Sequence, residues 1–205
     1  MSDMDNAHGR EPRGQLGLLG YYWFLTFEQS PALRVLTEQC QRPLDATRFR
    51  RVHSGGLHLT LDRIAHDGGT APEQLQLVES AARRACRDEA PFTLTISELT
   101  NLGGAIGFAV SPAERVRLLR DTLRTATRSV LPDAPVKDSL SVPHITIAYP
   151  LFEGLSAESD AVAMESKATI EGVAMKVTEA VMVALERHEH SYSWTIAAEV
   201  PLTGR

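Results

Sequence analysis

Two short stretches of the chain each place a histidine and a threonine two residues apart among aliphatic residues. The first is HLTL, with His58 and Thr60, and the second is HITI, with His144 and Thr146. In an extended strand, residues i and i+2 point to the same face, so each histidine shares a face with its threonine. We therefore expect each polar pair to face a cleft or solvent, while the aliphatic residues pack against other elements.

A pair of histidines is suited to proton transfer near neutral pH. One neutral imidazole accepts a proton from water, and one protonated imidazole supplies a proton to a leaving oxygen. Hydroxyl groups fixed on strands stabilise the charge on phosphate oxygens. We therefore take His58 and His144 as the candidate catalytic acid and base, and Thr60 and Thr146 as candidate phosphate-binding groups. The sequence leaves open which histidine is the acid and which is the base.

The pattern occurs more often than chance predicts. With seven histidines in 205 residues, this composition would give about 0.1 occurrences of His-apolar-Thr-apolar. Two occurrences are present, each within a predicted strand. The pair therefore favours one composite site over two unrelated histidines that are satisfied by backbone groups.

The tetrads, HLTL at 58–61 and PHITIA at 143–148, resemble the paired H-x-T/S-x motifs of the 2H phosphoesterase superfamily. Within that superfamily, the chain is most similar to the 2′-5′ RNA ligase-like branch of RNA 2′,3′-cyclic phosphodiesterases, over roughly residues 20–202. The resemblance implies a bilobal α+β fold, in which two pseudo-symmetric antiparallel sheets face a central cleft with the helices outside. It also implies metal-independent hydrolysis or reversible transesterification of RNA-type 2′,3′-cyclic phosphate or 2′-5′ phosphodiester bonds, without a cofactor.

One position departs from this family pattern. Many members of the branch carry arginine five residues after the second motif histidine, where this chain has Tyr149. Regular strand alternation predicts that Tyr149 faces away from the motif histidine and lies at the rim of the cleft, because Pro150 ends the strand. Arg63, five residues after His58, is the candidate for the missing positive charge. We expect Tyr149 and Arg63 to contact substrate.

The elements that position the tetrads follow from hydrophobic periodicity and from turn residues. Strands are predicted at 20–27, 56–64, 92–100, 105–111, 141–149, 173–187 and 192–202, and helices at 30–40, 71–89, 111–130 and 155–165. The helix and strand that follow each tetrad region suggest two related lobes. Residues 1–17 are polar and are predicted to form a flexible tail, and residues 18–205 a single bilobal domain.

Composition bounds the class of protein. The chain is 43% hydrophobic and 23% charged, with a formal net charge of −5. A negative chain is unsuited to coating long nucleic acid, which needs a broad positive surface, but it permits a small anionic substrate. We expect a small nucleotide or RNA end as substrate, no long duplex, no membrane partner and a monomer. Two cysteines without metal-ligand spacing and a polar N-terminus favour a cytoplasmic protein with no metal site.

Other residues have both a structural and a functional interpretation. An arginine series on the helix at 111–130 is either a solvated face or a stripe that follows phosphates; its members are Arg117, Arg120, Arg124 and Arg128. His188 and His190 belong to a solvated turn or hold a metal. The aromatic run at 21–24 is mostly core, with one ring available to stack on a base.

Three functions are open at this stage. The first is the RNA-type phosphodiesterase. The second is a non-catalytic module that binds cyclic or oligonucleotide ligands in the same cleft. The third is a phosphodiesterase for a nucleotide-derived metabolite such as ADP-ribose cyclic phosphate. Two intact histidines favour an enzyme, because binding alone needs no pair of proton-transfer groups.

Overall fold

The computed structural model describes residues 16–135, 142–165, 172–188 and 191–204. Residues 1–15 of the predicted tail lie outside these ranges. Its last residue, Gly17, is already the first residue of a strand. The elements in chain order are β1 (Gly17–Thr26), α1 (Pro31–Gln41), β2 (Phe49–Arg51), β3 (His58–His66), α2 (Pro72–Ala85), β4 (Phe92–Leu102), β5 (Ala105–Ser111), α3 (Ala113–Val130), β6 (His144–Pro150), α4 (Ser156–Glu165), β7 (Ala174–Val177), β8 (Glu179–Arg187) and β9 (Tyr192–Pro201). No helix within the described ranges has both the length and the apolar character needed to cross a membrane.

The strands form two antiparallel sheets. One has four strands in the order β3-β1-β8-β9, and the other has five in the order β2-β6-β5-β4-β7. Each tetrad opens a strand, with His58 at the start of β3 and His144 at the start of β6. The two motif strands come from different sheets and contact each other. The predicted α+β fold with two antiparallel sheets is confirmed.

The aliphatic residues of the tetrads pack as their alternation predicts. Leu59 and Ile145 lie in the same hydrophobic cluster as Leu33 of α1, Val78 of α2 and Leu119 of α3, and all five are nearly inaccessible to solvent. The helices therefore cover the faces of the sheets opposite the motif histidines and threonines. This packing fixes the direction in which the polar residues point.

Two features of the sheets were not predicted. The three-residue strand β2 pairs with β6 and is too short to show an alternating pattern. The strand predicted over 173–187 is divided at Thr178: β7 pairs with β4 in one sheet, and β8 pairs with β1 in the other. Apolar residues continue on both sides of Thr178, so the sequence pattern does not show that the chain changes sheets there.

A buried ion pair joins α3 to β3. The Nε of Arg124 lies 2.7 Å from Oδ2 of Asp62, with 14% and 3% of the two side chains exposed. Arg117 on the same helix pairs with the exposed Glu114 at 3.7 Å. Arg124 thus points toward the sheet rather than outward, and the four arginines of α3 do not form one phosphate-binding stripe.

Removing the buried arginine should destabilise the fold. Arg124→Met leaves the Asp62 carboxylate buried without its guanidinium, and the free energy of unfolding should fall by about 3 kcal/mol or more. The measurement is urea denaturation at pH 7. As a control, Arg117→Met should cost less than about 1 kcal/mol, because that ion pair is exposed. Equal, small losses in the two variants would show that the buried pair does not stabilise the protein.

Candidate active site

The two motif histidines are held in the same way. The Nδ1 of His58 lies 2.9 Å from the carbonyl oxygen of Gly56, and the Nδ1 of His144 lies 2.9 Å from that of Val142. In both cases the partner is the backbone carbonyl two residues before the histidine. A carbonyl oxygen only accepts, so Nδ1 carries the hydrogen, and Nε2 is the proton-accepting atom of each neutral ring.

The histidines belong to one site. Burial is the main cause that lowers the pKa of the His58 imidazole, and the charge of His144 also lowers it. Thr60 is exposed and Thr146 is half-buried, each two residues along the strand from its histidine. The structure therefore brings the His–Thr face of β3 and the His–Thr face of β6 together between the two sheets.

A β-bulge in each motif strand changes which later residues face the site. In β3 the first residue without a partner in the neighbouring strand is Leu61, and a second, Ile64, follows Arg63; in β6 the residue without a partner in β5 is Ile147. Leu61 and Ile147 are each the third residue after the motif histidine. An extra residue shifts the alternation by one position, so the residue five after each histidine returns to the histidine face.

This shift brings Tyr149 into the site, and the prediction that it faces away at the rim was wrong. Tyr149 hydrogen-bonds Thr146, and burial raises the pKa of its phenol to about 12. Regular alternation would place it opposite Thr146. The bulge at Ile147 is the physical reason for the difference.

The same shift places Arg63 on the site face of β3. Its guanidinium carbon lies 4.9 Å from the centre of the Tyr22 ring. Tyr22 packs with Phe24 in a small apolar cluster, and Phe24 in turn stacks on His58. Nη1 of Arg63 also lies 3.3 Å from Nδ1 of His66. Arg63 is therefore the guanidinium that the first motif strand presents on this face.

Each bulge is supported by a buried polar side chain. Oδ1 of Asp62 accepts a hydrogen bond from the backbone N–H of Arg63 at 3.0 Å. Gln41 of α1 donates from Nε2 to the carbonyl oxygen of Ile147, the bulged residue of β6, at 2.8 Å. The carbonyl oxygen of Ile147 also accepts from the backbone N–H of Val52 at 2.8 Å. Buried backbone groups are costly without partners, so these contacts together stabilise the irregular strands.

Three tyrosines from three strands meet in the site. The ring centres of Tyr149 and Tyr192 are 5.9 Å apart. Burial, and to a smaller extent the charge of Tyr192, raise the pKa of Tyr22 to about 12. The charge of Tyr192 also contributes to the raised pKa of Tyr149. Tyr22 and Tyr149 therefore remain protonated and uncharged at neutral pH.

The imidazole of His58 is enclosed by two aromatic rings. It stacks on Phe24 with ring centres 4.2 Å apart and an interplanar angle of 15°. Trp194 meets it edge to face at 4.9 Å and 67°, and also contacts Phe24 at 5.5 Å. Burial lowers the pKa of His58 to about 4; the hydrogen bond to Gly56 opposes this shift and the charge of His144 adds to it.

Trp194 and Tyr192 were missed by the sequence interpretation. They stand two residues apart on β9, which predicts a shared face, but nothing in the sequence shows that β9 curls over β3. The interpretation of the run at 21–24 as mostly core is confirmed, since Tyr22, Trp23 and Phe24 are buried. The sequence did not show that Phe24 also stacks on His58.

The remaining histidines have local partners. His53 accepts a hydrogen bond from the backbone N–H of Gly55, and Nε2 of His188 lies 2.6 Å from Oγ of Ser193. His190 lies outside the described residues. Within the described ranges, no three His, Cys, Asp or Glu side chains are grouped so that they could hold a metal ion.

Comparison with known proteins identifies relatives of this chain. The sequence profile of the 2′-5′ RNA ligase superfamily matches residues 28–189. No curated protein matches the chain.

Solved structures share the fold across nearly the whole chain. E. coli LigT complexed with 3′-AMP is 18% identical with a TM-score of 0.64, and the match covers 91% of this chain and 99% of LigT. The protein TT0787 of Thermus thermophilus is 20% identical with a TM-score of 0.67, and the match covers 90% and 98% of the two chains. Further structures of E. coli LigT are complexes with NADP+ and with ATP.

The geometry of His58 predicts its titration. Its neutral ring should carry the proton on Nδ1, and its titration midpoint should lie near pH 4, which nitrogen-15 NMR of the imidazole measures. In urea-unfolded protein the midpoint should return to about 6.5. Because the folded pKa is the lower one, the stability that this group contributes is complete above about pH 6.5 and is lost as the pH falls toward 4. A folded-state midpoint near 6.5 would contradict the aromatic enclosure.

Proposed function

Because the chain belongs to the 2′-5′ RNA ligase superfamily of 2H phosphoesterases, we propose that it is a metal-independent phosphodiesterase that acts on RNA-type 2′,3′-cyclic phosphate or 2′-5′ phosphodiester bonds. The observation that supports this most directly is the matched pair of histidines. Each is held by its Nδ1 on a backbone carbonyl, one on each sheet, and the two interact electrostatically. Two such imidazoles suffice to take one proton from the attacking water and to give one proton to the leaving oxygen.

The reaction is an in-line displacement at phosphorus. Water attacks the phosphorus of a 2′,3′-cyclic phosphate and gives its proton to the Nε2 of one histidine. The bond from phosphorus to one ribose oxygen breaks, and the Nε2 of the other histidine supplies that oxygen with a proton. In the reverse direction the two roles exchange, so hydrolysis and transesterification use the same groups.

Thr60 and Thr146 bind the non-bridging phosphate oxygens in this proposal. The phenol of Tyr149 keeps its proton at neutral pH, because its pKa is about 12. Its hydrogen bond to Thr146 holds the two hydroxyl groups next to each other, and each of them has a hydrogen to donate. Preorganised donors of this kind stabilise charge that grows in the transition state.

Arg63 and Tyr149 contact the substrate beyond the reacting phosphorus. Arg63 supplies positive charge from the first motif strand, and the uncharged tyrosines supply hydroxyl donors and ring faces. This combination suits a nucleotide or a short RNA end better than a long polyanion. E. coli LigT, which shares the fold, has been solved with mononucleotides and with a dinucleotide.

Removing either motif histidine should abolish most turnover. His58→Ala and His144→Ala should each lower kcat by about 10²–10⁴-fold, because each removes one proton transfer. The assay is hydrolysis of a panel of 2′,3′-cyclic nucleotides, 2′-5′ dinucleotides and ADP-ribose cyclic phosphate in buffer with EDTA, with products identified by phosphorus NMR.

His188→Gln is the matched control for this assay, since His188 is exposed, bonds Ser193 and should be replaceable without loss of activity. Full activity of either motif variant would refute the acid–base pair. Tight binding of a panel member without turnover would instead identify a binding module, and turnover of the ADP-ribose compound alone would identify the metabolite enzyme. Activity that EDTA abolishes and a metal restores would refute the metal-independent reaction.

The charge of Arg63 should appear as a salt-dependent KM. Arg63→Gln should raise KM about tenfold at low salt and leave kcat nearly unchanged, and the dependence of KM on salt should weaken. Arg117→Gln removes the same charge from the exposed face of α3 and should change neither quantity. Loss of kcat rather than affinity in Arg63→Gln would show that Arg63 acts on the transition state.

A further inference from the structure

We propose that Trp194 is a positioning residue that, together with Phe24, holds His58 as the neutral imidazole, so that His58 is the base toward the attacking water and His144 is the acid toward the leaving ribose oxygen. This inference rests on the proposed function. It assigns roles that the two motifs alone leave open, and it adds a residue from β9 to the site.

The contacts on His58 carry the inference. Phe24 covers one face of the imidazole nearly in parallel, and Trp194 closes the site edge to face. Trp194 also rests on Phe24 and approaches Gly56, where a side-chain carbon added to the glycine would lie 4.0 Å from the indole. Gly56 is the residue whose carbonyl accepts from Nδ1 of His58. Trp194 thus packs on Phe24 and lies close to Gly56, two residues that contact the imidazole.

This enclosure favours the uncharged ring. An aromatic face attracts a cation. Excluding water from an imidazolium costs more free energy than this attraction returns when no carboxylate replaces the water. The pKa of His58 falls in consequence, with burial as the largest cause. At neutral pH such a ring is almost entirely in the unprotonated form that a general base needs, and it has no hydrogen on Nε2 to give.

Arg63 shares the His58 face of β3, and further titratable groups come from four neighbouring segments. β6 contributes His144, whose charge acts on His58. β1 contributes Tyr22, which stays protonated. β9 contributes Glu199, exposed and paired with Val181, which in turn pairs with Phe24. The turn before β3 contributes His53, which bonds Gly55. The charge of His144 disfavours a second charge on His58, which reinforces the division of roles.

With these roles, every proton and bond of the reaction step is accounted for. Oxygen of water bonds to phosphorus, and its proton goes to Nε2 of His58. The Nδ1–H of His58 keeps its bond to the Gly56 carbonyl, which stabilises the imidazolium that forms. The phosphorus–ribose bond breaks, and the oxygen takes the proton of Nε2 of His144. A phosphodiester anion between the sheets favours the protonated form of His144 before the reaction.

The test of the positioning role is the pH profile of kcat/KM. Trp194→Ala admits water to His58 and should move the acidic limb of the profile upward by about one pH unit or more, toward 6.5, while activity at pH 8 stays within about threefold. Trp194→Phe keeps apolar cover and should move the limb less. Tyr192→Ala, on the same face of β9 but against Tyr149, should leave the limb in place.

NMR titration of His58 in the same variants gives a second measurement that needs no turnover. The midpoint should rise in Trp194→Ala and stay low in Tyr192→Ala. An unchanged limb together with an unchanged midpoint would overturn the role of Trp194. If the wild-type protein turned over none of the substrates, the proposed function would be refuted instead. The NMR midpoints would still decide whether Trp194 keeps His58 neutral.

A sulfur leaving group tests which histidine is the acid. In a 2′,3′-cyclic phosphate whose leaving bridging oxygen is replaced by sulfur, the thiolate departs without a proton. His144→Ala should then regain at least about tenfold relative to its activity on the oxygen compound, and His58→Ala should regain nothing. Recovery of His58→Ala alone would reverse the two roles and overturn the assignment.

Discussion

The site depends on the bulge that each motif strand carries three residues after its histidine. A bulge at the third residue after each histidine shifts the alternation of β3 at Leu61 and of β6 at Ile147. Without it, the fifth residue after each histidine would face the helices, and the site would consist of two histidines and two threonines alone. With it, Arg63 and Tyr149 join the face that carries the chemistry.

The rest of the structure is arranged to tolerate these bulges. Asp62 accepts from the backbone of Arg63 and holds Arg124 of α3, and Gln41 of α1 donates to Ile147. In each sheet, a helix on the outer side therefore supports the irregular strand through a buried polar contact. Gly107, opposite Thr146, has no room for a side chain, because an added carbon would lie 2.8 Å from the carbonyl oxygen of Ile145.

The sequence predicted the parts that alternation controls. His58 and His144 share faces with their threonines, and their aliphatic neighbours lie in the core, because period 2 holds up to the bulge. The sequence prediction failed for Tyr149, because the bulge has no signature in the sequence of the strand itself. The bulge depends on buried contacts from elsewhere in the chain. The prediction failed for Trp194 for a related reason, because the approach of β9 to His58 comes from the curvature of a four-stranded sheet.

Two motifs of the same composition must behave differently if one is to give a proton and the other to take it. The backbone contact on Nδ1 is the same for both histidines, so it cannot distinguish them. The difference comes from residues outside the tetrads: Phe24 and Trp194 enclose His58, and a phenol rather than a guanidinium follows His144. Environments that move apart the proton affinities of two like groups are how one site obtains an acid and a base. In this protein the symmetry of the motifs supplies the two imidazoles, and the asymmetry of the surrounding sheet supplies their roles.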